Sequence, residues 1–214
     1  MIASYGLKFI LIAAVITILA SLWAASKDSM TMYIISLITA FITLSLMFFY
    51  RNPIRNIPDN NLAVLSIADG KVISVEDIEN EYIGGKGKKI AIFLSVLDAH
   101  INRIPINGRV DYYKYNPGRF FAAFNDKASS DNENTEIGLE FSGGKMIFKQ
   151  IAGIMARRIE CTVKESQQVK AGEIYGMIHF GSRAEYFLPD NIEVTVKPGD
   201  KVKAGETIIG EIVR

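Results

Sequence analysis

Two long apolar stretches open this chain, and a shorter-period pattern follows them. Phe9 to Ala25 carries no charged side chain, and neither does Met30 to Tyr50; only Ser26-Lys27-Asp28-Ser29 lies between. A bilayer core of about 30 Å takes ~20 apolar residues as a helix, with ~17 at the short end. The second stretch has that length and the first is near the lower bound. So short a connection makes the two antiparallel neighbours, a helical hairpin that enters and leaves on one side. Lys8 precedes the first span and Arg51 and Arg55 follow the second, while the loop between has no net charge. The positive-inside rule then predicts an inner cell membrane location with the N-terminus and the rest of the chain in the cytoplasm. A cleaved signal peptide ending at Ala24-Ala25-Ser26 competes for the first stretch. The second apolar run directly behind it argues against secretion. A buried helical pair in a soluble core also competes, against the scarcity of charges in either run.

After Arg51 the pattern changes. Asn52-Pro53 through Pro58-Asp59-Asn60-Asn61 is polar and proline-bearing and reads as a linker. From Leu62 onward, short β-branched and aromatic runs alternate with turn clusters. Strands are predicted at Ala63–Ile67, Lys71–Val75, Lys89–Ser95, Arg109–Tyr115, Thr135–Phe141 and Lys145–Ile151. Others are predicted at Arg158–Val163, Glu173–Phe180, Ile192–Val196 and Thr207–Val213, with Glu185–Pro189 also strand-like. Asp98–Arg103 reads as a short helical or irregular turn, and Asn125–Asn134 as a loop. The expected organisation is a membrane anchor over residues 1–55 and a mainly β domain over 56–214.

A weak internal repeat runs through the β part. Val163-Lys164 then Val169-Lys170-Ala171-Gly172-Glu173 recurs as Val196-Lys197 then Val202-Lys203-Ala204-Gly205-Glu206. Asp69-Gly70-Lys71-Val72 and Asn107-Gly108-Arg109-Val110 form a second pair, and Asp-Gly and Asn-Gly are strong turn signals. The pattern resembles the hairpin units of lipoyl- and biotinyl-type barrels. It predicts a compact barrel or sandwich built from related halves.

Composition sets limits. The 214 residues allow one ordinary domain plus an anchor. A formal net charge of +1 gives no case for nucleic-acid binding. Cys161 is the single cysteine, so no intrachain disulfide forms, and its apolar surroundings (Ile159 to Val163) read as packing rather than nucleophilic chemistry. Two histidines and one cysteine cannot build an ordinary structural zinc site without carboxylates, and no metal is expected.

Chemistry concentrates near the C-terminus. Phe180-Gly181-Ser182-Arg183 follows an apolar run and precedes another strand-like segment, which puts a small nucleophile and a flexible peptide bond at a strand end. Gly176 to Arg183 (Gly-Met-Ile-His-Phe-Gly-Ser-Arg) resembles the self-cleavage site of the phosphatidylserine decarboxylase proenzymes in their short form. Four blocks carry the resemblance: Arg51-Asn52-Pro53; Ala68 to Val72; Ile92 to Ser95 with Asp98 to Pro105 and Asn107-Gly108; and Gln150 to Gly153 with Ala156 to Ile159 and Gly181 to Arg183. Phe124 to Ser129 and Asn132 to Asn134 are similar as well.

The resemblance implies a mechanism. The Ser182 hydroxyl attacks the Gly181 carbonyl, an N-to-O shift gives an ester, and elimination frees Gly181 as a new C-terminus. The dehydroalanine left behind hydrolyses to a pyruvoyl group and ammonia. Decarboxylation at an amino-acid carbon needs an electron sink that no ordinary side chain provides. The pyruvoyl carbonyl supplies it through an imine with the substrate amine. The implied reaction is phosphatidylserine to phosphatidylethanolamine and carbon dioxide, with membrane lipids as partners and the two cleavage chains staying associated. A homo-oligomer is left open. The resemblance makes His100 the group that protonates the α-carbon, in line with a side chain that titrates near neutrality. It makes Asp69 a support for the base in maturation, although an Asp-Gly turn explains that residue without the family. One branch carries a second histidine three residues after the first, as the base of self-cleavage; this chain has Arg103 there. His179 is the other candidate base, on the expectation that it shares a strand face with Gly181; a strand residue facing solvent is the plainer reading. Arg157 or Arg158 would pair with the substrate's phosphate or carboxylate, with strand alternation admitting one of the two. Gly84 to Lys89, glycine-rich and cationic, reads as a solvated hairpin tip or a contact with anionic lipid.

The competing function is a membrane-anchored lipoyl- or biotinyl-like carrier or adaptor. Asp126-Lys127-Ala128 mimics the tripeptide around a lipoylated lysine, but the polar run Ser129 to Asn134 fits poorly after it, and a carrier explains neither His100 nor Gly181-Ser182.

Overall fold

The computed structural model describes residues 1–27, 29–119, 131–153, 159–179 and 181–213. The chain divides into two compact units, Met1–Ile54 and Arg55–Arg214.

The first unit is a pair of helices, α1 (Ser4–Lys27) and α2 (Met30–Phe49). Both are long and apolar enough to cross a membrane. Each turns large aliphatic and aromatic side chains outward, Leu19, Leu22, Leu37 and Phe41 among them. Two pairs of hydroxyls meet between the helices. Thr17 Oγ1 lies 3.0 Å from Thr43 Oγ1, and Ser21 Oγ 2.6 Å from Ser36 Oγ. Such pairing is what buried or lipid-exposed polar groups require where water is absent. The two ends of the hairpin are tied, Ala3 N donating to Tyr50 O at 2.8 Å and Asn52 N to Met1 O at 2.7 Å. Gly6 makes room for the Tyr50 ring, where a Cβ would fall 2.0 Å from a ring carbon.

The second unit is mainly β. Its strands are β1 (Ala63–Leu65), β2 (Gly70–Asn80), β3 (Gly85–Leu94), β4 (Ile101–Arg103), β5 (Gly108–Asn116), β6 (Asn134–Phe141) and β7 (Gly144–Ile151), then β8 (Ile159–Cys161), β9 (Gln168–Val169), β10 (Ile174–Ile178), β11 (Ser182–Pro189), β12 (Ile192–Val194), β13 (Lys201–Val202) and β14 (Ile208–Ile212). Among the described residues they form an eight-stranded sheet in the order β13-β2-β3-β11-β7-β6-β5-β9 and two three-stranded sheets, β1-β14-β12 and β4-β10-β8. All the named pairings are antiparallel. Alternate residues of the central strands make the core: Ile90, Ile92 and Leu94, Ile137 and Leu139, Phe148, and Ala184, Tyr186 and Leu188. The Tyr186 hydroxyl satisfies its buried oxygen by donating to Leu65 O at 3.1 Å and accepting from Ile67 N, which pins the large sheet to β1.

The repeat seen in the sequence is a structural duplication. Val72 N donates to Asp200 O and Gly199 N to Val72 O, at 2.9 and 2.8 Å; Val110 N donates to Gln167 O and Ser166 N to Val110 O, again at 2.9 and 2.8 Å. Gly205 N to Ser66 O and Gly172 N to Ile104 O match in the same way.

Three local expectations are corrected. Asp98–Arg103 is not wholly a turn, because Ile101–Arg103 is strand β4, paired with β10. Its polar Asn102 disguised it, and that side chain is buried with Asn102 Oδ1 accepting from Gln150 Nε2 at 2.9 Å. The cationic run after Gly84 is not a loop tip either. Lys86 to Lys89 lie in β3 opposite Glu79, Asp77 and Glu76 of β2, and Lys88 Nζ reaches Asp77 at 2.6 Å. Finally, the strand expected to continue to Phe180 stops at Ile178, and β11 starts at Ser182, earlier than its apolar pattern suggested.

Candidate active site

Ser182 is the first residue of β11, the strand flanked by β3 and β7 in the large sheet. It pairs with Leu94 at the end of β3. Gly181 precedes it as a bend with φ +61°, a left-handed conformation that costs an L residue roughly 1–2 kcal/mol. Among the described residues, nothing lies within 4 Å of where a Cβ on Gly181 would stand. Ser182 is fully buried, and its Oγ has no hydrogen-bond partner among the described residues. A buried hydroxyl left in that state costs ~1–3 kcal/mol. Such an orphan marks a strained or reactive position.

His100 sits just before β4 and is also fully buried. Its Nδ1 lies 2.9 Å from Asp98 O, so with Nδ1 as donor the unprotonated ring nitrogen of the neutral imidazole is Nε2. The Asp98 carboxylate holds the preceding turn, accepting from Ser95 N at 2.8 Å and Ser95 Oγ at 2.7 Å. Ile178 N donates to His100 O at 3.2 Å, which sets the His100 backbone against the segment leading into Gly181. His179 is buried, not solvent-facing. The shared face expected for His179 and Gly181 does not exist, because β10 has ended and the positive φ at Gly181 breaks the alternation.

Asp69 and Arg103 belong to a charged cluster beside these elements. Both Asp69 oxygens accept from Arg55 Nη2, at 2.8 and 2.7 Å, and Oδ1 also accepts from Ala204 N at 2.8 Å. Arg55 Nη1 reaches Glu206 at 3.4 Å, and Asn56 N donates to Glu206 Oε1 at 3.0 Å. Arg103 Nη1 donates to Gly172 O at 2.9 Å. Burial, then the neighbouring Arg55 charge, lowers the Arg103 guanidinium from its ordinary value, partly offset by Asp69 and Glu206. Arg103 thus joins the cluster through its charge and clamps a repeat turn.

Two features escaped the sequence reading. Arg183 and Glu185 alternate on the face of β11 opposite its core residues, yet both are buried, with Arg183 Nε 2.6 Å and Lys89 Nζ 3.3 Å from the same Glu185 oxygen. The other is a buried amide network under β4: Gln150 Nε2 to Asn102 Oδ1, Thr135 Oγ1 to Gln150 Oε1 at 2.8 Å, and Asn102 Nδ2 to Ile67 O at 3.2 Å. Polar letters inside short strands were the available signal. Arg157, Arg158 and the Asp126-Lys127-Ala128 tripeptide lie outside the described residues.

The site thus holds a buried serine with no partner for its hydroxyl among the described residues, directly after a left-handed glycine. The sequence profile of the family described as phosphatidylserine decarboxylase matches residues 42–210. The chain is similar to the "Phosphatidylserine decarboxylase proenzyme" of Pelobacter propionicus, 41% identical over 99% of this chain and 96% of that protein. Proteins of the same name from Desulfotalea psychrophila (41% identical, 99% and 97% covered) and Chlorobium limicola (40%, 98% and 99%) are similar over the same extent. The chain belongs to the phosphatidylserine decarboxylase family. Membership carries the enzymatic reading over the carrier reading.

Proposed function

We propose that this chain is made as a proenzyme, cuts its own backbone between Gly181 and Ser182, and then decarboxylates phosphatidylserine at a membrane surface. The observation that carries the reading is the buried Ser182 Oγ, which has no partner among the described residues and follows a left-handed glycine. An unengaged hydroxyl is ready to attack the preceding carbonyl, and glycine alone holds that backbone without strain. A pyruvoyl group derived from Ser182 fits this position, and its carbonyl supplies the electron sink that the decarboxylation needs.

His100 is the proposed acid–base group. The bond from Nδ1 to Asp98 O supports a fixed tautomer, with Nε2 taking up a proton and delivering it to the substrate's α-carbon once carbon dioxide has left. Its place next to Ile178 favours it over Arg103, which serves as a clamp. Asp69 supports maturation from the charged cluster, and His179 stays a second candidate for the base that activates Ser182. Arg157 or Arg158 remains the proposed anchor for the lipid's anionic headgroup. The apolar hairpin favours a lipid substrate and a catalytic unit on the cytoplasmic side of an inner membrane, in keeping with Lys8, Arg51 and Arg55 flanking the spans.

A denaturing gel with intact-mass analysis tests this. The expected products are residues 1–181 and a fragment beginning at a blocked residue 182. Ser182→Ala should remain whole and inactive, and borohydride with phosphatidylserine should trap an amine adduct on the short fragment alone. Active protein that is uncut, with an intact serine at 182, would reject the proposal.

A further inference from the structure

We infer that Arg55, in the linker, is a positioning residue for self-cleavage and acts by holding the Asp69 carboxylate. The inference rests on the proposed cleavage at Ser182 and adds to it a residue and a segment.

The internal duplication supplies the argument. In one half of the repeat, Asp69 Oδ1 accepts from Ala204 N at 2.8 Å; in the other, Asn107 Oδ1 accepts from Ala171 N at 2.8 Å. The flanking backbone bonds match as well. The turn therefore needs one acceptor oxygen, and a neutral amide provides it. Neither the second oxygen of Asp69 nor its charge is required by the turn. Both are taken by Arg55, whose side chain is 6% exposed and grips the carboxylate with Nη2 at 2.8 and 2.7 Å. A paired guanidinium and carboxylate this well buried are costly to separate, because each leaves the other as an uncompensated charge.

The grip leads toward the site through backbone bonds. Asp69 closes the loop from Ser66, and the Ile67 carbonyl in that loop accepts from Arg103 N at 3.0 Å and from Asn102 Nδ2 at 3.2 Å. Those two residues belong to β4, which begins right after His100. The charges around Asp69 among the described residues fit this picture: Arg55 from the linker, Glu206 with Lys203 from the second repeat turn, and Arg103 from β4. Without Arg55, Asp69 and Glu206 share the cluster with Arg103 and the exposed Lys203 among the described residues. Ile57 fastens the same linker, lying against Gly172 so closely that a Cβ there would meet it at 2.4 Å. Self-cleavage is thereby tied to the seating of the segment that follows the hairpin.

The test follows cleavage of freshly synthesised full-length chain, made in a cell-free system with liposomes, by the appearance of the fragment that starts at residue 182. Arg55→Ala should cut at least about tenfold more slowly. Arg55→Lys should recover part of the rate, because an ammonium restores the charge but not the fork. Asp69→Asn should fold, as Asn107 does in the matching turn, and cut slowly; adding Arg55→Ala to it should slow cleavage no further. Arg109→Ala, which removes an exposed pair with Glu140, is the control expected to cut normally. Normal cutting by Arg55→Ala, or losses that multiply in the double variant, would overturn the inference. A wild-type chain that stays whole would instead overturn the self-cleavage reading beneath it.

Discussion

Burial treats the two small nucleophiles of the β unit differently. Ser182 is buried at a strand end with no partner for its oxygen among the described residues, while Cys161 lies on β8 among apolar neighbours. Burial pushes the Cys161 thiol up to about 11, only partly opposed by a backbone bond from Val163. A raised value means less thiolate at a given pH, so reactivity is lost rather than gained. Relative to an unperturbed thiol of ~8.5, the thiolate fraction at pH 8 falls by roughly 200-fold. Iodoacetamide labelling of native protein at pH 8 should be slower than labelling in urea by about that factor, read by mass shift of the Cys161 peptide. Labelling at comparable rates would show an exposed thiol. The packing role of Cys161 was legible from its neighbours in sequence. The isolation of Ser182 was not, since it depends on which side chains from distant strands fail to reach it.

At the scale of elements, the lettering misled wherever charges pair across strands. Lys86 to Lys89 look like a solvated loop when read along the chain, and only the β2–β3 register shows acids opposite. Arg183 and Glu185 put two charges on one face of β11, yet β11 lies inside the large sheet. These two kinds of pair should differ sharply in worth. Lys88 and Asp77 are 40% and 86% exposed, and exposed pairs contribute at most ~1 kcal/mol. Glu185 is wholly buried between Arg183 and Lys89. Removing it leaves cations uncompensated in the interior, a loss of about 3–5 kcal/mol. Urea unfolding of the uncut Ser182→Ala chain in detergent should show Glu185→Ala strongly destabilised and Lys88→Ala little changed. Equal effects would mean that the buried triad is not what holds β11 in place. The apolar helices and the longer strands were readable because length and alternation are local properties. Short β4 was not, because its polar residues are satisfied by Gln150 and Ile67, which are remote in sequence.

For the whole molecule, the place of the proposed cut decides what becomes of the products. The bond lies at the start of β11, and everything after it is woven into the other fragment. β11 runs between β3 and β7, β13 pairs with β2, and β14 pairs with β1. The short fragment would carry Tyr186, Leu188, Ile192, Val202 and Ile209, all buried in the common core. Each such side chain contributes ~1.5–3 kcal/mol by leaving water, and the strand bonds of β11 are lost together or not at all. Severing one peptide bond at a bend removes none of these contacts. The two fragments should therefore co-elute in detergent on size exclusion and separate only in denaturant, with no free short fragment after extended dilution. Dissociation on dilution would mean that the cut lets β11 leave the sheet. That outcome would also be hard to reconcile with a reactive group at residue 182, because the buried surroundings that define the site come almost wholly from the longer fragment.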